Sequence, residues 1–295
     1  MQGADWHIGV IGGSGLYAPG GLDDAQTITV ESPFGAPSGT VTTGTLSGIR
    51  FSFLARHGEG HRQSPSSINY RANIDVLKRC GVTDILALSA IGSLRENIAP
   101  GEFVAVDQLI DRTLLRERSF FGEGLVAHVG LADPVCARFS AMAATAAQAA
   151  GATVHRGGCY VAIEGPQFST RAESHMYRGW AADVIGMTAM PEARLAREAE
   201  LPYALLGMVT DYDSWRSDEA GVEVTDILKV MRGNSDLARA TLRKLASALP
   251  AQRAPSPIDT ALDHAMLTGE AQWSAERVAQ LDAVAGRVLR KKETR

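Results

Sequence analysis

Two acids one residue apart end an apolar run. Ala204 to Val209 carries no charge, and Thr210 then leads into Asp211, Tyr212 and Asp213. Such a run reads as a strand buried on both faces. In open α/β sheets, ligands bind beyond the carboxyl ends of such strands. A carboxyl group there, among apolar neighbours, has its pKa raised and can donate a proton near neutral pH. The competing reading is that Asp211 or Asp213 caps the turn or helix that follows. Further polar islands stand after other apolar stretches. Arg56 and His57 follow one, with His61 close behind. Arg offers a planar fork matched to phosphate oxygens, although for such a pair taken singly a solvated loop is the favoured reading. Ser89, Ala90 and Gly92 follow another and suit close backbone approach to an anion, or a plain turn. The segment 163–171 holds Phe168, able to wall a flat ring, and Ser169. Met187 and Thr188 open the segment 186–192, where backbone N–H groups at a helix start can face a ligand. Each island is weak singly, and their recurrence after successive strands points to one pocket.

The elements that must position these residues follow from periodicity. Strands are expected at 7–11, 25–31, 40–46, 49–54, 85–88, 103–106, 158–163, 183–186 and 202–209. Helices are expected at 69–80, 134–150, 171–180, 191–200 and 222–249. Gly151 supplies one helix stop and Pro191 one helix start. Strands alternating with helices imply an α/β fold around a largely buried sheet. The short neighbouring strands of 25–54 imply an antiparallel portion, hence a single domain with a central mixed β-sheet flanked by helices. Pro250 marks a boundary between a main domain, 1–250, and a C-terminal helical extension, 251–295. In the extension Val278, Leu281, Val284 and Val288 fall at helical spacing before the basic run Arg290–Lys292. That helix is expected to pack on the main domain or on a neighbouring subunit, with membrane contact the weaker alternative.

Bulk composition removes several classes. The chain has 295 residues and is 45% hydrophobic, enough for a full core. A net charge of −4 gives no global basic field for nucleic acid. No apolar run is long enough to cross a bilayer, and the N-terminus lacks the charged region and apolar region of a signal peptide. Cys80, Cys136 and Cys159 are odd in number and far apart, which suits reduced thiols in a cytoplasmic protein and no metal site.

The glycine loop needs separate treatment. Residues 13–18 fit G-x-G-x-x-A after a strand, and Glu31 stands where a ribose-binding acid would. A non-catalytic dinucleotide-binding module is therefore one alternative. Its motif must open a helix, however, and Pro19-Gly20-Gly21 follows at once. The loop can instead bind an anion through converging N–H groups and the Ser14 hydroxyl, or be a tight turn that needs positive φ.

Taken together, IGGSG (11–15), ARHG (55–58), SAIGS (89–93), IEGPQFSTRAES (163–174), GMTAMPE (186–192) and TDYDSW (210–215) resemble the purine nucleoside phosphorylase family of the trimeric type. The likeness covers about 7–249 and is greatest to the members that cleave methylthioadenosine. It implies phosphorolysis: phosphate attacks the anomeric carbon, releasing adenine and 5-methylthioribose 1-phosphate. It implies no cofactor beyond phosphate as co-substrate, and a homotrimer, or a hexamer if trimers pair. It places phosphate at Ser14, Arg56, His57, Ser89, Ala90 and Thr188, and ribose against Met187. The base falls at Phe168 and Ser169, with Asp211 as catalytic acid to N7 and Asp213 near the 6-amino edge. Val224, Ile227 and Leu228 would line the methylthio pocket, with His61 near the 5′ end. A 6-oxopurine or methylthioinosine phosphorylase of the same family is the nearer alternative. Aspartate at both base positions favours adenine, because a 6-oxo group would meet lone pairs there.

Overall fold

The fold is known from a computed structural model, which describes residues 5–13, 21–216 and 224–292; the side chains of 224–229 and 291–292, like Ser14, lie outside the described residues. Eleven strands among these residues form one sheet: β1 His7–Gly12, β2 Asp23–Ile28, β3 Val41–Leu46, β4 Ile49–Ala55, β5 Asp84–Ser93, β6 Phe103–Val106, β7 Gln108–Asp111, β8 Val154–Arg156, β9 Cys159–Ala162, β10 Val184–Gly186 and β11 Tyr203–Asp211. The helices are α1 Tyr70–Arg79, α2 Ala137–Ala149, α3 Arg171–Gly179, α4 Ala189–Glu198, α5 Val224–Ala248, α6 Ala275–Gln280 and α7 Gly286–Lys292.

The sheet is mixed, and β5 is its hub. Its first half pairs in parallel with β1 on one side and β11 on the other, and its last residues pair antiparallel with β10. Three partners fit because β5 outlasts β1, which ends at Gly12. Both faces are apolar, with period 2. On β5, Ile85, Ala87 and Ile91 point into one core cluster while Leu86 and Leu88 point into the other. Strand β11 does the same with Leu205 and Val209 against Leu206 and Met208. Helices α1 and α4 cover the first face; α2 and α5 pack on each other over the second. The result is a three-layer sandwich whose central strands are buried throughout.

Several boundaries differ from expectation. Strand β5 runs on to Ser93, so the 89–93 island belongs to the strand itself. Strands β7 and β8 were not expected; they are short, four and three residues, and carry polar residues at half-buried positions, which hides the period. The strand expected at 25–31 lies at Asp23–Ile28, where all but Ile28 are exposed because it is the sheet edge. Helix α2 starts three residues after Pro134, with Cys136 extended as its N-cap. Helix α4 opens at Ala189, and extended Met190 breaks its first turn.

The expected C-terminal helix is broken in two, α6 and α7. Leu281, Val284 and Val288 are all buried in the core cluster with α1 and α4, and Val278 packs against it. Polar ties add to this. The Trp6 indole donates to the Pro250 carbonyl at 2.9 Å, and Arg253 pairs with Asp84 and with Asp259. Arg287 pairs with Glu200 at 2.5 Å and Asp263 at 2.6 Å.

Candidate active site

A cavity of about 470 Å³ opens at the carboxyl ends of β1 and β10 and along the last residues of β5 and β11. Arg56, His57, His61, Ser89, Ala90, Phe168, Ser169, Met187, Thr188, Asp211 and Asp213 all line it. Islands as far apart in the chain as Arg56 and Asp213 thus share one space. Helix α5 runs past the same cavity, but Val224, Ile227 and Leu228 have no described side chains.

One end carries the groups suited to an oxyanion. Arg56 directly follows β4 and is 1% exposed. Its Nε and Nη2 donate to the two oxygens of Glu192 at 2.7 and 2.9 Å, while Nη1 and Nη2 donate to the carbonyls of Leu88 and Ile11. Glu192 also accepts from the Tyr203 hydroxyl at 2.9 Å. Arg56 therefore holds β1, β5 and α4 together at the cavity wall, besides bringing positive charge there. Ser89 Oγ and Thr188 Oγ1 stand 3.4 Å apart on facing segments. The Nδ1 of His57 lies 2.9 Å from the Gln63 carbonyl. A carbonyl can only accept, so Nδ1 carries the hydrogen. Burial pulls the His57 pKa down to about 4, and the charge of Arg56 adds to this. The ring is then neutral, and it stacks on His61 at 4.1 Å.

The other end carries the two aspartates. A bulge in β11 sets their direction: Val209 pairs with Ile91 and Asp211 with Gly92, leaving Thr210 as the extra residue. The Asp211 carboxylate is held twice. Oδ1 accepts from the Asp213 N–H at 2.8 Å and Oδ2 from the Thr210 hydroxyl at 2.7 Å. Burial pushes the Asp211 pKa up, opposed by those two bonds and helped by the Asp213 charge. Burial also raises Asp213. Gly92 is required beside them, because a Cβ there would lie 2.9 Å from Asp211 Oδ1. The turn after β11 is pinned by Trp215, whose indole donates to the Ser93 carbonyl at 2.9 Å and whose ring packs 3.8 Å under Arg178. The Ser174 and Ser169 hydroxyls and the Ser214 N–H face the Asp213 carboxylate and oppose the rise in its pKa. Phe168 stands at the mouth, 40% exposed.

Sequence reasoning missed Met231, Asn234 and Ser235 on α5, which line the cavity. They continue the spacing of 224, 227 and 228 by further helical turns, so the face could have been extended. Asn234 is 3% exposed and donates to the Val209 carbonyl at 3.0 Å, bracing the strand just before the bulge. Glu192, the partner of Arg56, was also missed, since nothing local marks it as buried. Among the described residues no three His, Cys, Asp or Glu side chains stand together as a metal site would need.

The phosphorylase superfamily model matches residues 7–247. The chain belongs to the phosphorylase superfamily. Among relatives, it is 55% identical to the S-methyl-5′-thioadenosine phosphorylase of Cereibacter sphaeroides, over 96% of this chain and 98% of that one. Identity to the S-methyl-5′-thioadenosine phosphorylase of Bradyrhizobium diazoefficiens is 53%, over 96% and 98%. Among solved structures, a methylthioadenosine phosphorylase from an antarctic soil metagenomic library superposes with a TM-score of 0.90 at 43% identity, over 95% and 99% of the two chains. The Schistosoma mansoni methylthioadenosine phosphorylase in complex with adenine gives 0.81 at 34% identity, over 96% and 98%. In this phosphorylase Gly13, directly after β1, stands in the cavity wall.

Proposed function

We propose that the protein catalyses phosphorolysis of S-methyl-5′-thioadenosine to adenine and 5-methylthioribose 1-phosphate. The observation that carries this reading is that the aspartate pair and the Arg56, His57, Ser89 and Thr188 group line one cavity, in a chain more than half identical to phosphorylases of that substrate. As the C1′–N9 bond breaks, its electron pair moves to the base and positive charge develops on the ribosyl ring, as in glycoside cleavage. A phosphate oxygen beside C1′ stabilises that charge and forms the new C1′–O bond. Adenine leaves poorly as an anion, so N7 takes a proton. Neutral Asp211, its pKa raised by burial, is the donor, and solvent returns the proton afterwards.

Base choice follows from the same atoms. The Asp213 carboxylate accepts hydrogen from a 6-amino group but repels the oxygen of a 6-oxopurine. A buried mismatch of that kind can discriminate by on the order of 10⁴-fold. Met187 packs beside the sugar, Phe168 and Ser169 face the base, and the α5 face carrying Val224, Ile227 and Leu228 takes the methylthio group, with His61 near the 5′ end. The remaining oxyanion contacts come from Ser14 and Ala90. No cofactor enters this scheme.

We also assign a homotrimer working in the cytoplasm. The adjacent Leu114 and Leu115 are 73% and 80% exposed and Leu267 66%, apolar side chains that a subunit contact would cover. The three cysteines are unpaired, and no helix among the described residues is long and apolar enough to cross a membrane.

The test is adenine release from methylthioadenosine with and without phosphate, beside inosine and methylthioinosine. Strict phosphate dependence with a strong preference for methylthioadenosine is expected, unaffected by EDTA. Turnover without phosphate, or faster turnover of the 6-oxopurines, overturns the assignment. Light scattering on the same sample reads the assembly.

A further inference from the structure

Arg116 is 7% exposed, lies outside the wall of the cavity, and has no role in the chemistry above. Its guanidinium nevertheless reaches both segments that frame the substrate. Nη1 donates to the carbonyls of Met187 at 2.5 Å and Met190 at 2.7 Å. Nη2 donates to the carbonyls of Glu164 at 2.7 Å and Ile163 at 3.4 Å. Nε donates to the Glu164 carboxylate at 3.3 Å, and Nη1 also meets the Tyr70 hydroxyl at 3.2 Å, with the cation 5.4 Å from that ring. The Glu164 carboxylate in turn accepts the N–H groups of Leu114 and Leu115 at 2.5 and 3.2 Å, and the Ser66 hydroxyl. Segment 114–116 is thus bound to residue 164 in both directions.

We propose that Arg116 is a positioning residue: its fork ties the base-facing loop, 163–169, to the oxyanion-facing loop, 186–190, and so sets the distance between the departing purine and the attacking phosphate. This rests on the phosphorolysis reading. Each loop carries one half of the reacting pair, Phe168 and Ser169 on the first and Met187 and Thr188 on the second. The first loop is neither strand nor helix over 163–169, and the second spans the step from β10, ending at Gly186, to α4, opening at Ala189. One backbone bond, from the Ile163 N–H to the Gly186 carbonyl at 2.9 Å, joins them at the strand ends, and the Arg116 fork extends that tie to Met187 and Met190. A planar group with five N–H donors spans two sets of carbonyls where an ammonium point charge cannot. Misplacement of a reacting group by about 1 Å costs about 10²-fold in rate. Either ligand bound by itself does not need that alignment. Loss of the clamp therefore falls on kcat more than on binding.

The experiment compares wild type, Arg116→Lys and Arg116→Ala, each below its own melting temperature. For Arg116→Lys we expect kcat lower by about 10²-fold, with the adenine dissociation constant and the phosphate KM changed less than about threefold. Hydrogen exchange should quicken in 163–169 and 186–190 together. In Arg116→Ala, tens of millimolar guanidinium ion should restore activity by about tenfold or more, and methylammonium should not, because only the former reproduces the fork. A kcat for Arg116→Lys within threefold of wild type overturns the proposal, as does full recovery on cooling or loosening of one loop only. If Arg116→Ala does not fold, the lysine variant and its exchange pattern still decide. Wild type that fails to release adenine with phosphate would refute the parent reading instead, and the exchange measurement would still report on the clamp.

Discussion

At the residue scale the chemistry turns on where Asp211 keeps its proton. Burial raises its pKa, so the neutral, donating form persists above the usual carboxylate range and is lost as pH rises through the raised value. The kcat profile should accordingly fall on its basic side. Asp211→Asn keeps the shape but has no acidic proton, so kcat on methylthioadenosine should drop about 10²–10⁴-fold and the limb should vanish. Asp213→Asn should instead move relative preference toward methylthioinosine, whose 6-oxo group an amide N–H can serve. A side-by-side rate and pH measurement checks all three. The types at this site were legible: an acid ending an apolar run could be read directly. Its direction was not. The extra Thr210 in the bulge and the missing Cβ at Gly92 aim the carboxylate, and both depend on β5 lying alongside.

At the element scale, the long central strands were readable because both their faces are buried, which leaves an apolar run bounded by polar residues. The regular turns of α4 begin at Pro191, the expected start, because Met190 before it adopts extended angles. That helix delivers Glu192 to Arg56, both 1% exposed. Removing one partner of a buried ion pair strands the other charge and costs about 3–5 kcal/mol. Glu192→Gln should therefore lower stability in urea unfolding by about that amount. It should also raise the phosphate KM, since Arg56 would no longer be fixed against the Leu88 and Ile11 carbonyls. An unchanged midpoint would show that the pair does not hold the strand ends.

At the scale of the whole molecule, the segment after Pro250 shares the core with α1 and α4. Leu281 is 0% exposed there, so Leu281→Ala should cost about 2–5 kcal/mol in a single unfolding transition. A separate early transition would mean that the tail is an independent appendage. A second buried acid makes global stability pH-dependent. Glu198, the last residue of α4, accepts from the Ser119 hydroxyl and the Phe120 N–H, both at 2.7 Å, and faces Arg194 and Arg71. Burial outweighs these and raises its pKa from 4.5 to about 7. The folded state then binds more protons than the unfolded state between those values, so stability falls as pH rises through that window. The loss is on the order of 3 kcal/mol. Glu198→Gln imitates the protonated acid, so it should match wild type near pH 5 and melt higher near pH 8; parallel melting curves at both pH values would refute this.

The amino-acid sequence by itself determined the α/β class, the family resemblance and the polar residue types that follow its strands, because burial periodicity and short motifs are local properties. Only the tertiary structure decided that these islands meet in one cavity, that Arg56 is bound to Glu192, and that Arg116 joins two loops. It also decided that the tail breaks into two helices to fill the core. The reason is the same in each case: these are contacts between residues distant along the chain, and no local pattern encodes which partner burial will bring.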